Sequence, residues 1–304
     1  MTSRQYPPPD FVIAGAPKCG TTALFRYLEQ HKAIFMPERK EPHYFGNDLP
    51  QWHRKYQTLQ DYVAIFGDAR PDQLCGEASV LYIYSNMALD ELLKHNGDVK
   101  CIAIVRNPVD HFLSWHNQSY KRQDECYADP EEAWRAQERR LHGDDIPPGC
   151  RHPELLQYKR VSTLGTRLRR FVDKVPAGQR YIGLYDDFAA DPQAFTNEVL
   201  VFLGLSPLDD ITVGHINKRA VPRFPGIERL VRNPPSSLGR LQRALRGPLH
   251  RFGIHPVSFI RRFNNKSHYI DISPSFHREL VDAFAPEIET IEAITGRDLS
   301  HWRA

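Results

Sequence analysis

Apolar residues along the chain fall in short blocks, and two periods alternate. Asp10–Ala14 is a brief, nearly all-apolar run that reads as a strand. From Thr21 to His31 the positions Ala23, Leu24, Tyr27 and Leu28 recur at helical spacing. Lys100–Val105 is again almost unbroken in its apolar character, as expected of a parallel strand buried on both faces. It ends in Arg106-Asn107-Pro108, and the proline suits the first turn of a helix from Val109 to about Tyr120. Thr163–Val175 has the pattern of an amphipathic helix, Arg180–Tyr185 that of a third strand, and Phe195–Leu203 that of a helix closed by Gly204. Strands alternating with helices predict an α/β fold, a parallel central sheet flanked by helices in a single domain spanning 1–304. Two stretches break the rhythm: Asp124–His152 is charged and reads as a helical insertion, and Ser206–Pro256, with seven prolines, reads as long ordered loops with short helices.

Composition narrows this only a little. A chain of 304 residues with 41% hydrophobic and 25% charged content is ordinary for a globular enzyme, and a net charge of +3 selects no partner. The charge is unevenly placed, because twelve Lys/Arg between Lys218 and Lys266 face Glu228 alone. That tract is either a solvated surface or a rim attracting an anionic ligand. Five cysteines without a C-x-x-C suit free thiols in a reducing compartment, and no metal-ligand spacing is visible. The N-terminal stretch has the form of neither a signal peptide nor a transmembrane anchor, so the expected location is cytoplasmic.

The first candidate chemistry is G-A-P-K-C-G-T-T, Gly15 to Thr22, between a predicted strand and a predicted helix. Its glycines have the spacing of a nucleotide-binding P-loop, but Thr21 stands where that loop carries lysine, and Lys18 lies inside the turn. Amides of Gly20, Thr21 and Thr22 at a helix N-terminus, with two threonine hydroxyls, make an anion site. The second candidate is R-N-P-V-D-H-F-L-S, Arg106 to Ser114. Arg106 follows a buried strand, where open α/β sheets bind ligands, and with Ser114 it offers a guanidinium fork and a hydroxyl for a second phosphate.

Together these stretches resemble the two signature motifs of sulfotransferases that use 3′-phosphoadenosine 5′-phosphosulfate (PAPS). The resemblance implies a P-loop-like, sulfotransferase-like fold. It implies that Lys18, Cys19, Gly20, Thr21 and Thr22 hold the 5′-phosphosulfate, with Arg106 and Ser114 on the 3′-phosphate. Tyr185-Asp186-Asp187-Phe188, Asp191-Pro192 and Phe202-Leu203-Gly204-Leu205 are similar to a later family segment whose tyrosine approaches adenine. Gly296–Trp302 resembles the ending of bacterial members. Lys40-Glu41-Pro42-His43-Tyr44-Phe45 resembles the K-E-x-H-F-F stretch of heparan-type enzymes, which implies Glu41 as general base, a task for a carboxyl of raised pKa, with His43 as the alternative. Glu77 is a third pocket candidate. Lys218 and Arg219 stand near where that branch has 3′-phosphate ligands, although its K-G-R and paired cysteines are missing.

The expected reaction is therefore in-line sulfuryl transfer from PAPS, leaving the 3′,5′-bisphosphate PAP, with no metal. Lys18 would stabilise the leaving phosphate, and the acceptor would be a hydroxyl, or an amine, of a small molecule, glycan or lipid. Residues 10–120 and 160–220 would form the nucleotide core, and insertions at 121–160 and 206–266 the acceptor side. A homodimer is left open. The alternatives are a P-loop kinase, which needs a lysine directly before Thr21 or Thr22 and a magnesium-binding aspartate, and a non-enzymatic anion or RNA binder, which needs aromatic residues interleaved with its charges.

Overall fold

The computed structural model describes residues 7–49, 55–150, 152–212, 220–222, 265–267 and 272–304. The chain forms two compact units, one of Met1–His111, Ser162–Ile216 and Glu279–Ala304, the other of Phe112–Val161 and Asn217–Arg278.

The first unit is built on five parallel strands. In chain order its elements begin β1 (Phe11–Gly15), α1 (Thr21–Leu28), β2 (Ile34–Phe35), α2 (Leu59–Ala64), β3 (Leu74–Ala78), α3 (Ala88–His95) and β4 (Lys100–Val105). The sheet is completed by β5 (Arg180–Leu184) and its order is β2-β3-β1-β4-β5. The middle strand of the five is also wholly apolar: β1 is buried at all five positions between β3 and β4. Burial on both faces is why the run from Phe11 carries no polar alternation. From β1 the chain first moves toward β2 and only after β3 crosses to the other side, so the direction of winding reverses beside β1. A sheet that reverses in this way opens a crevice at the carboxyl ends of the strands next to the reversal.

Helix α4 (Pro108–Lys121) follows β4, and α5 (Pro130–Arg135), α6 (Gln137–Leu141) and α7 (Tyr158–Val161) lie in the inserted stretch. The fold then returns through α8 (Leu164–Lys174), β5, α9 (Tyr185–Ala190) and α10 (Pro192–Leu203). Gly204 ends α10 in the left-handed conformation, as its position predicts. The strands β6 (Ala220–Pro222) and β7 (Asn265–Ser267) pair antiparallel, and α11 (Pro274–Thr295) precedes a 3-10 turn at Ser300–Arg303.

Several expectations are refined. The helix from Thr21 stops at Leu28 rather than His31, and Tyr185 opens α9 instead of ending β5. The charged insertion is helical in two short pieces, α5 and α6. Sequence periodicity missed β3, whose apolar run is broken by Gly76 and Glu77, and it also missed the 22-residue α11. Within the second unit, Glu125 and Arg140 are buried as a bidentate ion pair at 2.7 and 2.8 Å, and the Tyr158 hydroxyl donates to Glu125 Oε2 at 2.6 Å. A pair so enclosed needs each of these partners, since a lone charge there would be costly. Most of Ser206–Pro256 lies outside the described residues.

Candidate active site

The loop after β1 is shaped by backbone conformation before any side chain acts. Lys18 and Gly20 both have left-handed φ angles, 66° and 80°. At Gly20 a side chain would be strained and would also meet the Phe188 ring at 2.8 Å, so glycine is required twice over. The carbonyl of Gly20 accepts from the Ala23 and Leu24 amides at 2.9 and 3.0 Å and so starts α1. No side chain caps that helix. The Thr21 and Thr22 amides therefore precede the helical ladder at its positive end, the usual seat of a phosphate-like anion. Thr21 is buried and Thr22 exposed. Cys19 is buried, with Sγ 3.5 Å from the Pro17 carbonyl, and burial pushes its thiol up to about 12 against the pull of Arg106 and Lys18. It is a packing residue that lends its backbone to the loop.

Two side chains that follow β4 hold this loop from behind. Arg106 Nη1 donates to the Lys18 carbonyl at 3.2 Å, and His111 Nε2 lies 3.1 Å from the Pro17 carbonyl. His111 is fully buried with Nδ1 2.9 Å from Ser162 Oγ; burial, helped by the nearby charge of Arg106, drives it down to about 3. It is therefore neutral at ordinary pH, donating through Nε2 and accepting through Nδ1. The remainder of Arg106 is fixed by Asp110 Oδ2 at 2.8 Å and by the Tyr185 ring, whose centroid is 4.5 Å from the guanidinium carbon. Its side chain is only 8% exposed, yet its buried Nε has no hydrogen-bond partner. An orphaned donor beside an uncapped helix start is the kind of group that an anionic ligand satisfies.

The turn carrying Glu41 and His43 hangs from the end of β3. Both residues have left-handed φ angles, 68° and 51°, which are uncommon for side chains of this size. The Glu41 amide donates to the Ala78 carbonyl at 3.0 Å and the His43 amide to Ser79 Oγ at 2.9 Å. Because Ala78 lies opposite Ile13 in the sheet, the turn sits one strand over from the Lys18 loop. The Glu41 carboxylate is 40% exposed, with Lys40 Nζ at 2.8 Å and His43 Nε2 at 3.7 Å. Burial alone would raise this carboxyl, but His43 and the Lys40 ammonium outweigh it and hold Glu41 well below the usual range. That corrects the expected raised pKa. His43, by contrast, is 1% exposed, and burial lowers its basicity, with Glu41 opposing.

Behind the turn lies a group that the sequence only hinted at. Glu77 is fully buried in β3, and Oε2 accepts from Ser79 Oγ at 2.8 Å. Oε1 makes no hydrogen bond of standard geometry, although the Tyr62 and Tyr82 hydroxyls are close enough to sense the charge. Burial raises Glu77 to about 8 despite the help of Ser79 and Lys40, so it is mostly a neutral acid at pH 7. By accepting the Ser79 proton, Oε2 leaves the serine oxygen free to accept from the His43 amide.

The carboxyl ends of four adjacent strands thus carry Glu41 and His43, Lys18 to Thr22, Arg106, and Tyr185. Ser114 lies on α4 in the second unit, partly buried. Lys218 and Arg219 lie outside the described residues. Sequence reasoning missed His111 and Asp110, although both stand inside the quoted Arg106–Ser114 motif; a histidine six residues past a strand end was the available signal. Among the described residues no helix is long and apolar enough to cross a membrane, and no cluster of three metal-ligating side chains occurs.

Comparison with known proteins bears on the family and the fold. Residues 8–219 match the sulfotransferase domain family. The bifunctional heparan sulfate N-deacetylase/N-sulfotransferase 2 of Homo sapiens is 24% identical over 67% of this chain and 23% of its own length. The heparan sulfate glucosamine 3-O-sulfotransferase 5 of Mus musculus is 26% identical over 66% of this chain and 54% of its own. The chain thus spans about a quarter to a half of these relatives. A crystal structure of a sulfotransferase from Alicyclobacillus acidocaldarius superposes with a TM-score of 0.69 at 24% identity, covering 98% of this chain and 99% of that one, and shares the fold. With a family match across the strand ends that carry the loop, Arg106 and Tyr185, the chain belongs to the sulfotransferase domain family.

Proposed function

We propose that the protein transfers a sulfuryl group from PAPS to a hydroxyl, or secondarily an amine, of an acceptor. The observation that carries this reading is the joint construction of two anion seats: the uncapped start of α1, and Arg106 with its orphaned Nε, bonded to the loop that shapes the first. One ligand with phosphates on both sides of a ribose would use both seats. When bound, PAPS supplies an activated sulfuryl group whose departure leaves charge on a phosphate oxygen. The Lys18 ammonium, on a left-handed turn beside that seat, stabilises the charge more as it grows than before reaction. Thr21 and Thr22 orient the phosphate, Arg106 and Ser114 hold the ribose phosphate, and Tyr185 backs the adenine.

Glu41 is the group that reaches the acceptor, since its carboxylate is exposed while His43 is buried. It takes the acceptor proton, and His43 behind it holds its orientation. The heparan sulfate enzymes among its relatives favour a glycan as acceptor over a lipid or small phenol. The deciding experiment is thermal denaturation with PAP, AMP and ATP–magnesium at equal concentrations. A ligand at a hundred times its dissociation constant adds about 2.7 kcal/mol, so PAP should raise the midpoint clearly and AMP little. A shift with ATP–magnesium alone would sink the reading and leave a kinase.

A further inference from the structure

The nucleotide edge is formed by two strand ends, β4 with Arg106 and β5 with Tyr185, and a single residue near the end of the chain bonds to both. Trp302, in the Ser300–Arg303 turn, is 2% exposed. Its backbone carbonyl accepts from Asn107 Nδ2 at 3.0 Å, and its indole Nε1 donates to Asp186 Oδ2 at 2.7 Å. Asn107 directly follows Arg106, and Asp186 directly follows Tyr185. Two further contacts bind the same segment to α9. Arg297 holds both Asp187 oxygens at 2.9 and 3.0 Å, and His301 Nε2 lies 2.9 Å from Asp186 Oδ2. The guanidinium of Arg106 rests on Tyr185, so its stacking geometry depends on the separation of the backbones that Trp302 links.

We propose that Trp302 is a positioning residue for the anion site. By tying Asn107 to Asp186 it fixes Arg106 against Tyr185, and so sets the preference of the site for a nucleotide with a second phosphate on its ribose. The inference rests on the sulfotransferase reading above. A guanidinium fork is selective only when its carrier is held to a fraction of an ångström, which neighbouring packing and hydrogen bonds must provide. A strap that merely anchored the terminus would affect stability without touching that preference.

The test is calorimetric titration of the full chain with PAP and with AMP, for wild type, Trp302→Phe, Asp186→Ala and Asp186→Asn. The Phe variant removes the indole donor together with part of the ring and keeps the backbone carbonyl. Trp302→Phe and Asp186→Ala should each weaken PAP about tenfold and AMP by no more than about twofold, the scale of one hydrogen bond to a charged group. Asp186→Asn should stay near wild type, because its amide oxygen still accepts from the indole. An unchanged PAP-to-AMP ratio in the first two variants overturns the proposal, whatever happens to their melting temperatures. Should Trp302→Phe fail to fold, Asp186→Ala carries the test, since its side chain is 41% exposed and leaves no core cavity. A wild type that does not prefer PAP overturns the sulfotransferase reading together with this one; a preference that persists in both variants overturns this one alone.

Discussion

Lys18, Glu41 and His43 share one trait that side-chain chemistry does not reveal: each has a left-handed backbone. Such residues cost of order 1–3 kcal/mol apiece and persist only where neighbours enforce them. Here the neighbours are identifiable, Arg106 on the Lys18 carbonyl, Ala78 on the Glu41 amide and Ser79 on the His43 amide. The side chains so presented make separable predictions. Lys18→Ala should slow the breakdown of PAPS to PAP, with water or any acceptor, by at least roughly a hundredfold, the loss typical of one oxyanion-stabilising donor. An unchanged single-turnover rate would remove Lys18 from the mechanism. Glu41→Gln should abolish turnover while PAP still binds, and His43→Asn should leave a measurable remainder. The reverse ranking, read in the same assay, would make His43 the base.

At the level of elements, the two motifs act as one piece. The β1 loop has its start fixed by His111 and its middle by Arg106, both from the segment after β4, and its end by Gly20 packed under Phe188. Replacing Gly20 with Ala should therefore lower stability and PAP affinity together, by about 1–3 kcal/mol in stability for the backbone strain alone. Retained melting temperature with retained affinity would show that the turn tolerates a side chain. Much of this was legible in the sequence, because a strand, a glycine turn and a helix each have local signatures. Gly15–Thr22 and Arg106–Ser114 could be assigned to strand ends for that reason. Nothing local revealed β3, where Gly76 and Glu77 interrupt the apolar run, nor that His111 would point at a loop 94 residues earlier. Those features depend on which strands become neighbours, which short-range patterns do not encode.

For the whole molecule, two buried groups set opposite pH limbs. Glu77 is raised in the fold to about 8 from 4.5, so the native state binds its proton more tightly than the unfolded chain. Its contribution is complete below 4.5 and is lost as pH climbs through about 8. His111 is lowered to about 3 from 6.5, so its contribution is present above 6.5 and is lost as pH falls toward about 3. Glu77→Gln should flatten the alkaline limb of a melting-temperature profile and leave the acid limb in place. Parallel decline of variant and wild type between about pH 5 and 9 would mean that Glu77 does not ionise in the native protein. The bond between His111 and Ser162 has a consequence of another kind. Residues 112–161 leave the first unit at one of these side chains and rejoin it at the other. Fifty residues thus form an excursion whose ends are clasped within the reach of a hydrogen bond, and loops closed in this way tolerate changes in length and content at little entropic cost. In engineering terms the part of this stretch beyond α4, which leaves Ser114 in place, is a cassette, a place where a foreign segment can be grafted while the phosphate-binding edge keeps its shape.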